Sequence, residues 1–212
     1  MYNCTYFLGV DAGVNGGAVL VACNDPEPVA MWPDVSSRLI GGRDDKIGIE
    51  YSVRGAPPAP LSTEGTAVYC DIIGSISRGA VSAEECSYIV SQWLTLYAIR
   101  LACIERVGIV QKQAKNEVLL RSFGWWEGLL SASRIPYITV RPSRWKRWAG
   151  VPPAKRGAGR AEIKGLAVAR AQELFPLVNF YGKRGGVTVN DWKAEAAMLA
   201  LCARQAAVTV GR

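Results

Sequence analysis

Residues 5–11 read TYFLGVD and residues 18–23 read AVLVAC, with Gly13, Gly16 and Gly17 between them. Both runs are short, apolar and rich in strand formers, and the glycines permit a sharp reversal. The pair predicts a hairpin at the start of the chain whose first strand ends on a carboxylate, Asp11. Further on, IRLACIE (99–105) predicts a second strand that closes on a carboxylate, Glu105, and PYITV (136–140) predicts another. Helices are predicted between and after these strands. Ser82 with Glu85 three residues on forms a capping-box pattern, opening a helix that runs to about Tyr97. Others are expected over about 116–133, in short pieces after Pro142, over 160–174 up to Phe175-Pro176, and over about 190–207. A hairpin followed by strand–helix alternation is the pattern of an α/β fold, a mixed sheet with helices on both faces.

The chain of 212 residues is read as a single domain over 1–212. A short third strand is expected at Val29–Trp32. From Pro33 to about Ser82 the pattern weakens into GG, APPAP and EGT turn clusters around two strand-like pieces, 47–53 and 67–73. That is longer than an ordinary connection, so about 33–82 reads as an insertion or excursion.

Half of the residues are hydrophobic and a fifth are charged, the composition of a folded domain. There is no histidine. This excludes a Ser-His-Asp triad, Cys-His catalysis and every histidine-bearing zinc site. The six cysteines contain no Cys-x-x-Cys pair and mostly sit beside apolar neighbours, so they read as small buried hydrophobes in a reducing compartment. No apolar run approaches the ~20 residues that span a bilayer. The first residues resemble neither a secretory signal nor a transit peptide, which leaves the origin open.

The net charge is +7, yet it is not evenly spread. Between Arg134 and Arg170 ten basic residues face one acid, Glu162. Such a local excess suggests a surface for a polyanion, nucleic acid before others.

Two predicted strands thus end in carboxylates, and ligands gather at the carboxyl ends of strands in α/β sheets. On the last predicted helix Asp191 and Glu195 lie four apart and share one face. Small neighbours, Ala194, Ala196 and Ala197, allow that helix close to the sheet. Four acids gathered in one cleft repel each other, and burial raises the cost. Cations relieve it, and an all-oxygen donor set without histidine or thiolate selects a hard ion, Mg²⁺ or Mn²⁺. Two such ions can activate water and stabilise the leaving oxygen of a phosphodiester. Taken singly, each acid reads equally well as a turn residue or a first-turn helix acid.

GVDAGVNGGAV (9–19), IERVG (104–108) and NDWKAEAAMLALCA (190–203) together resemble the three signature blocks of RuvC-type Holliday junction resolvases, in the RNase H-like superfamily. FGWWEGLL (123–130), IPYITVRPSRWK (135–146) and GRAEIKGLAVARAQELFP (159–176) resemble the phage-like and plastid (monokaryotic chloroplast) branch. The similarity covers roughly residues 5–32 and 99–205. It implies an RNase H-like sheet and a crossover junction endodeoxyribonuclease that resolves four-way DNA junctions by paired nicks, with Mg²⁺ or Mn²⁺, two per active site. It implies Asp11, Glu105, Asp191 and Glu195 as metal ligands, and Lys146, on the family's Pro-x-x-x-Lys position, as a catalytic residue near the scissile phosphate. The family often spaces its last two acids three apart; here the gap is four.

The loop after Glu105 is the natural reader of the junction. Gln111 and Gln113 suit base edges, Lys112 and Lys115 suit phosphates, and Ile109 or Val110 suits a wedge between opened bases. Arg141, Arg144, Arg147, Lys155, Arg156, Arg160 and Lys164 supply the basic surface. Trp125, Trp126, Trp145 and Trp148 read as packing residues before base platforms. The family implies a homodimer, because a near-symmetric junction is cut on two strands; the apolar helix over 116–133 serves equally as its interface or as core. No membrane and no nucleotide cofactor are expected. A chloroplast nucleoid is the expected setting on the plastid branch, a bacterial or phage-infected cytoplasm otherwise. Rival readings are a non-catalytic junction-binding protein of the same fold, an RNase H-type nuclease on RNA–DNA hybrids, and an actin-like or sugar-kinase ATPase. The last requires a second domain and a second phosphate loop that this chain does not have.

Overall fold

The computed structural model describes residues 4–13, 16–24, 70–77, 82–107, 115–180 and 191–210. Strands β1 (Cys4–Asp11) and β2 (Gly17–Asn24) form the predicted hairpin, antiparallel with Asp11 opposite Gly17 and Cys4 opposite Asn24. β3 (Cys70–Ser77) pairs antiparallel with β2. After α1 (Ala83–Leu96), β4 (Ile99–Glu105) joins the other side of β1 in parallel. After α2 (Lys115–Ala132), β5 (Tyr137–Val140) extends the sheet in parallel again. α3 (Pro142–Trp148), α4 (Arg160–Leu174) and α5 (Asp191–Val210) complete the chain. The strand order is β3-β2-β1-β4-β5, an α/β mixed sheet with an antiparallel half, β1 to β3, and a parallel half, β1, β4 and β5.

Strand residues alternate between two cores because side chains on a strand alternate between faces. Leu8, Val10, Leu20, Ala102 and Ile104 pack under α1 and α2 with Val90, Trp93, Trp126 and Leu130. Phe7, Val19, Val21, Leu101 and Cys103 pack under α3, α4 and α5 with Trp145, Phe175 and a run of alanines from α5. Helices therefore cover both faces. The predicted capping box is present: Ser82 Oγ accepts from Glu85 N at 3.1 Å, and Glu85 Oε2 accepts from Ser82 N at 2.7 Å. No helix among the described residues is long and apolar enough to cross a membrane.

Two expectations change. The strand-like piece placed at 67–73, within the excursion, is a sheet strand shifted to Cys70–Ser77. Ile76 is buried against β2, and the strand covers an edge that the hairpin leaves open. The pieces at 29–32 and 47–53, and most of the 33–82 excursion, lie outside the described residues. The cysteines are also not uniformly buried thiols. Cys23 and Cys70 are register partners across β2 and β3 and form a disulfide, while Cys4 is exposed. Antiparallel pairing brings two cysteines 47 residues apart into bonding range, which sequence spacing does not signal. Cys86, Cys103 and Cys202 do fit the expected role, and burial pushes the Cys202 thiol up to about 12.

Candidate active site

Asp11 shares the strand face of Phe7 and Gly9, and Glu105 shares that of Leu101 and Cys103. Both carboxylates therefore point to the α5 side of the sheet. β1 and β4 are neighbouring parallel strands with Val10 opposite Ile104, so their last residues lie side by side. α5 is set against them at very short range. A Cβ on Gly9 would fall 1.8 Å from the carbonyl oxygen of Ala196 and 2.5 Å from the nitrogen of Ala200. Ala194, Ala196, Ala197 and Ala200 are all fully buried. This contact brings Glu195 over the strand ends.

Asp11 is only 9% exposed. Its Oδ1 accepts a hydrogen bond from Gly13 N at 2.9 Å, inside a turn closed by Gly16 N to the Gly13 carbonyl at 3.0 Å. The turn needs glycine at position 16, where a Cβ would sit 2.1 Å from the Asp11 carbonyl oxygen. Burial raises the Asp11 carboxyl above its ordinary range, against the Gly13 bond and the charges of Lys164 and Lys146. Glu105 is pushed up to about 8, first by burial, then by Glu195 and Asp11. Glu195 is raised as well, by burial and then by Asp11, while Lys146 and Lys164 oppose the shift. Three acids from β1, β4 and α5 thus lie close enough to disfavour each other's charge.

Asp191 behaves differently. Its Oδ1 accepts from Trp192 N at 3.0 Å and its Oδ2 forms an ion pair with Lys164. Lys146 Nζ lies 3.7 Å from Glu195 Oε1. The two lysines come from helices that are tied together, since Arg170 of α4 donates from Nε to the carbonyl of Ala149, at the end of α3, at 2.8 Å. The α5 pair of acids is thus already neutralised by lysine. The four expected ligands lie at one end of the sheet, three of them mutually interacting and Asp191 turned to Lys164.

The donor set fits a divalent metal of the hard kind. Every acid offers oxygen, Asp11 is buried and Glu105 and Glu195 are half-buried, and the Glu105 charge is opposed by those of Glu195 and Asp11. Among the described residues no three acids or cysteines are gathered into a formed metal cage; the lysine ammonium groups share the pocket with them instead.

Two residues of this site were not singled out for it by sequence reasoning. Trp145, fully buried, donates from Nε1 to Glu105 Oε2 at 2.5 Å. Trp192 packs over Gly17, where a Cβ would meet its ring at 2.7 Å, and so seats the start of α5 on β2. The Pro-x-x-Trp-Lys spacing was the available signal for Trp145. No sequence signal separated Trp192 from an ordinary core aromatic.

Further basic residues lie on α3 and the loop after it. Arg141, Arg147, Lys155 and Arg156 are exposed. Arg144 lies 4.7 Å over the Trp148 ring, a cation–π contact, and Trp148 is buried. Trp126 is core and meets Trp125 edge-on at 4.7 Å. Ile109, Val110, Gln111, Lys112 and Gln113 lie outside the described residues, as do the side chains of Lys115 and Arg160.

No protein-family model matches the chain. No curated protein matches it. Among solved structures, it is similar to Thermus thermophilus RuvC in complex with a Holliday junction substrate, at 10% identity and a TM-score of 0.49. It is similar to a second Thermus thermophilus RuvC structure at 12% identity and a TM-score of 0.48. Each likeness spans 93% of this chain and 91% of the other.

Proposed function

We propose that the protein is a divalent-metal-dependent endonuclease that cuts four-way DNA junctions by phosphodiester hydrolysis. One observation carries the reading: Asp11, buried, and Glu105 and Glu195, half-buried, come from β1, β4 and α5 to one end of the sheet beside two lysines and an arginine-rich helix. Acids placed so close repel each other, and a divalent ion among them would relieve that repulsion. The junction as substrate comes from the ordered sequence blocks described above.

Asp11, Glu105 and Glu195 would hold Mg²⁺ or Mn²⁺, with Asp191 at the rim. When bound, the metal lowers the pKa of water and stabilises charge on the leaving oxygen. The turn at Gly13 fixes one oxygen of Asp11, and the other would face the ion. Lys146 and Lys164 neutralise Glu195 and Asp191 and present positive charge where a phosphate would lie. Arg141, Arg147, Lys155 and Arg156 extend that charge along the duplex arms. Gln111, Lys112, Gln113, Lys115 and Arg160 belong to the same proposal as DNA contacts. A homodimer supplies the two sites that paired nicks need, and Val118 and Leu120 leave α2 with exposed apolar side chains.

The test is a synthetic four-way junction in Mn²⁺. The wild type is expected to nick two opposing strands. Asp11→Asn is expected to lose about 10²–10³-fold or more in rate while still binding the junction in Ca²⁺. An Asp11→Asn variant that nicks at the wild-type rate refutes the reading. Binding without cleavage by the wild type points to a non-catalytic binder, and preferential cutting of an RNA–DNA hybrid points to an RNase H-type enzyme.

A further inference from the structure

Trp145 belongs to the basic helix α3 yet is turned wholly inward, fully buried. Its indole N–H donates to Glu105 Oε2 at 2.5 Å, across 40 residues of sequence. Its backbone carbonyl accepts from the Cys202 thiol of α5 at 3.9 Å, and the Lys146 ammonium sits 5.2 Å from its ring centroid. α3 starts directly after β5, whose Val140 is the register partner of Glu105 and accepts from Arg106 N at 2.7 Å. The indole is therefore held from β4 and by its own helix, and the backbone of Trp145 is tied to α5.

A buried indole N–H is not always given an acceptor in this protein. Trp126, equally buried on the other face of the sheet, has its Nε1 without a partner among the described residues. The carboxylate bond of Trp145 is thus a specific arrangement. It touches one oxygen of Glu105 and leaves Oε1 as the oxygen without that bond. It also favours the charged form of a side chain that burial and two neighbouring acids push the other way.

We infer that Trp145 is a positioning residue for the metal site, holding Glu105 in one rotamer with one oxygen committed and one offered to the cation. The inference rests on the nuclease reading, in which Glu105 is a ligand. Outer partners that orient a ligand typically contribute 10–100-fold in metal affinity. Sequence reasoning weighed Trp145 as a packing residue before a base platform, not as a partner of Glu105.

Trp145→Phe removes the N–H and keeps an aromatic ring in the core. Mn²⁺ binding is measured by calorimetry without DNA, alongside the melting temperature and the Mn²⁺ concentration for half-maximal nicking. The expected result is about tenfold weaker Mn²⁺ binding and a matching shift in the Mn²⁺ requirement. A core-packing role alone would lower the melting temperature and leave the Mn²⁺ titration in place. In the wild type, the ¹⁵N-indole resonance of Trp145 is expected to move on Mg²⁺ addition, and to stay put in Glu105→Gln; this measurement does not depend on the folding of Trp145→Phe. An unchanged Mn²⁺ affinity in a folded Trp145→Phe, or an indole signal indifferent to Mg²⁺, overturns the inference alone. Absence of any Asp11-dependent Mn²⁺ binding in the wild type overturns it together with the nuclease reading.

Discussion

The two faces of the sheet are built on different principles. Under α5 the layer is thin, because Gly9 and the alanines of α5 let a helix backbone lie directly on β1. Under α1 and α2 the layer is thick, filled by Trp93, Trp126, Leu130 and Val90. Each face uses a strand glycine, with different partners. Gly9 makes room for main-chain atoms of Ala196 and Ala200, whereas Gly74 makes room for the ring of Trp93, 2.7 Å from where its Cβ would be. Side chains can rotate and a helix backbone can only move as a body. The acids and their lysines sit on the thin face, where spacing has the least slack. The thick face serves stability.

Substitution at Gly9 tests this difference most severely. Gly9→Ala is expected to lift α5 from β1, costing about 4 kcal/mol or more and abolishing nicking. Gly74→Ala should cost only about 1–3 kcal/mol. Urea unfolding of both variants decides it, and equal losses would dissolve the contrast. Trp126→Ala empties the thick face and is expected to cost about 3–5 kcal/mol. Its nicking rate per folded molecule, measured at low temperature, should stay near wild type.

The charged end of the thin face predicts a pH dependence. Asp11, Glu105 and Glu195 have raised pKa values, with Glu105 at about 8. A carboxyl whose folded pKa exceeds its unfolded value favours the fold when protonated. That contribution is complete below the ordinary carboxylate range and is lost as pH rises through the folded pKa. Metal-free protein should therefore melt lower at pH 8.5 than at pH 5, on the order of 5 °C. Glu105→Gln should flatten that fall, and a melting curve for the variant that tracks the wild type across this range would count against the electrostatic account. The smallest effect belongs to the thick face: Ser82→Ala removes the α1 cap and should cost about 1 kcal/mol without altering nicking at saturating Mn²⁺.

Much of the fold was legible because its signals are local. The TYFLGVD and AVLVAC runs with their glycines announced the β1–β2 hairpin, the Ser82–Glu85 spacing announced the start of α1, and Phe175-Pro176 marked the end of α4. β3 was displaced by a few residues because 67–77 carries no clear alternation, and its place depends on the edge of β2 it covers. The acids at the ends of β1 and β4 were readable as strand-terminal carboxylates. The bond from Trp145 to Glu105, the pairing of Lys164 with Asp191 and the Cys23–Cys70 disulfide were not, since each joins residues far apart in the chain.

The sequence by itself determined which segments extend, which coil, and which acids and bases are available, because hydrophobic period, caps and turns act over two to four residues. Only the tertiary structure decided that Asp11 and Glu105 share a face, that α5 touches β1 through bare backbone, and that lysines from two helices neutralise α5's acids. Those outcomes depend on strand order and register, which are set by the mutual packing of distant segments and not by the neighbours of any one residue.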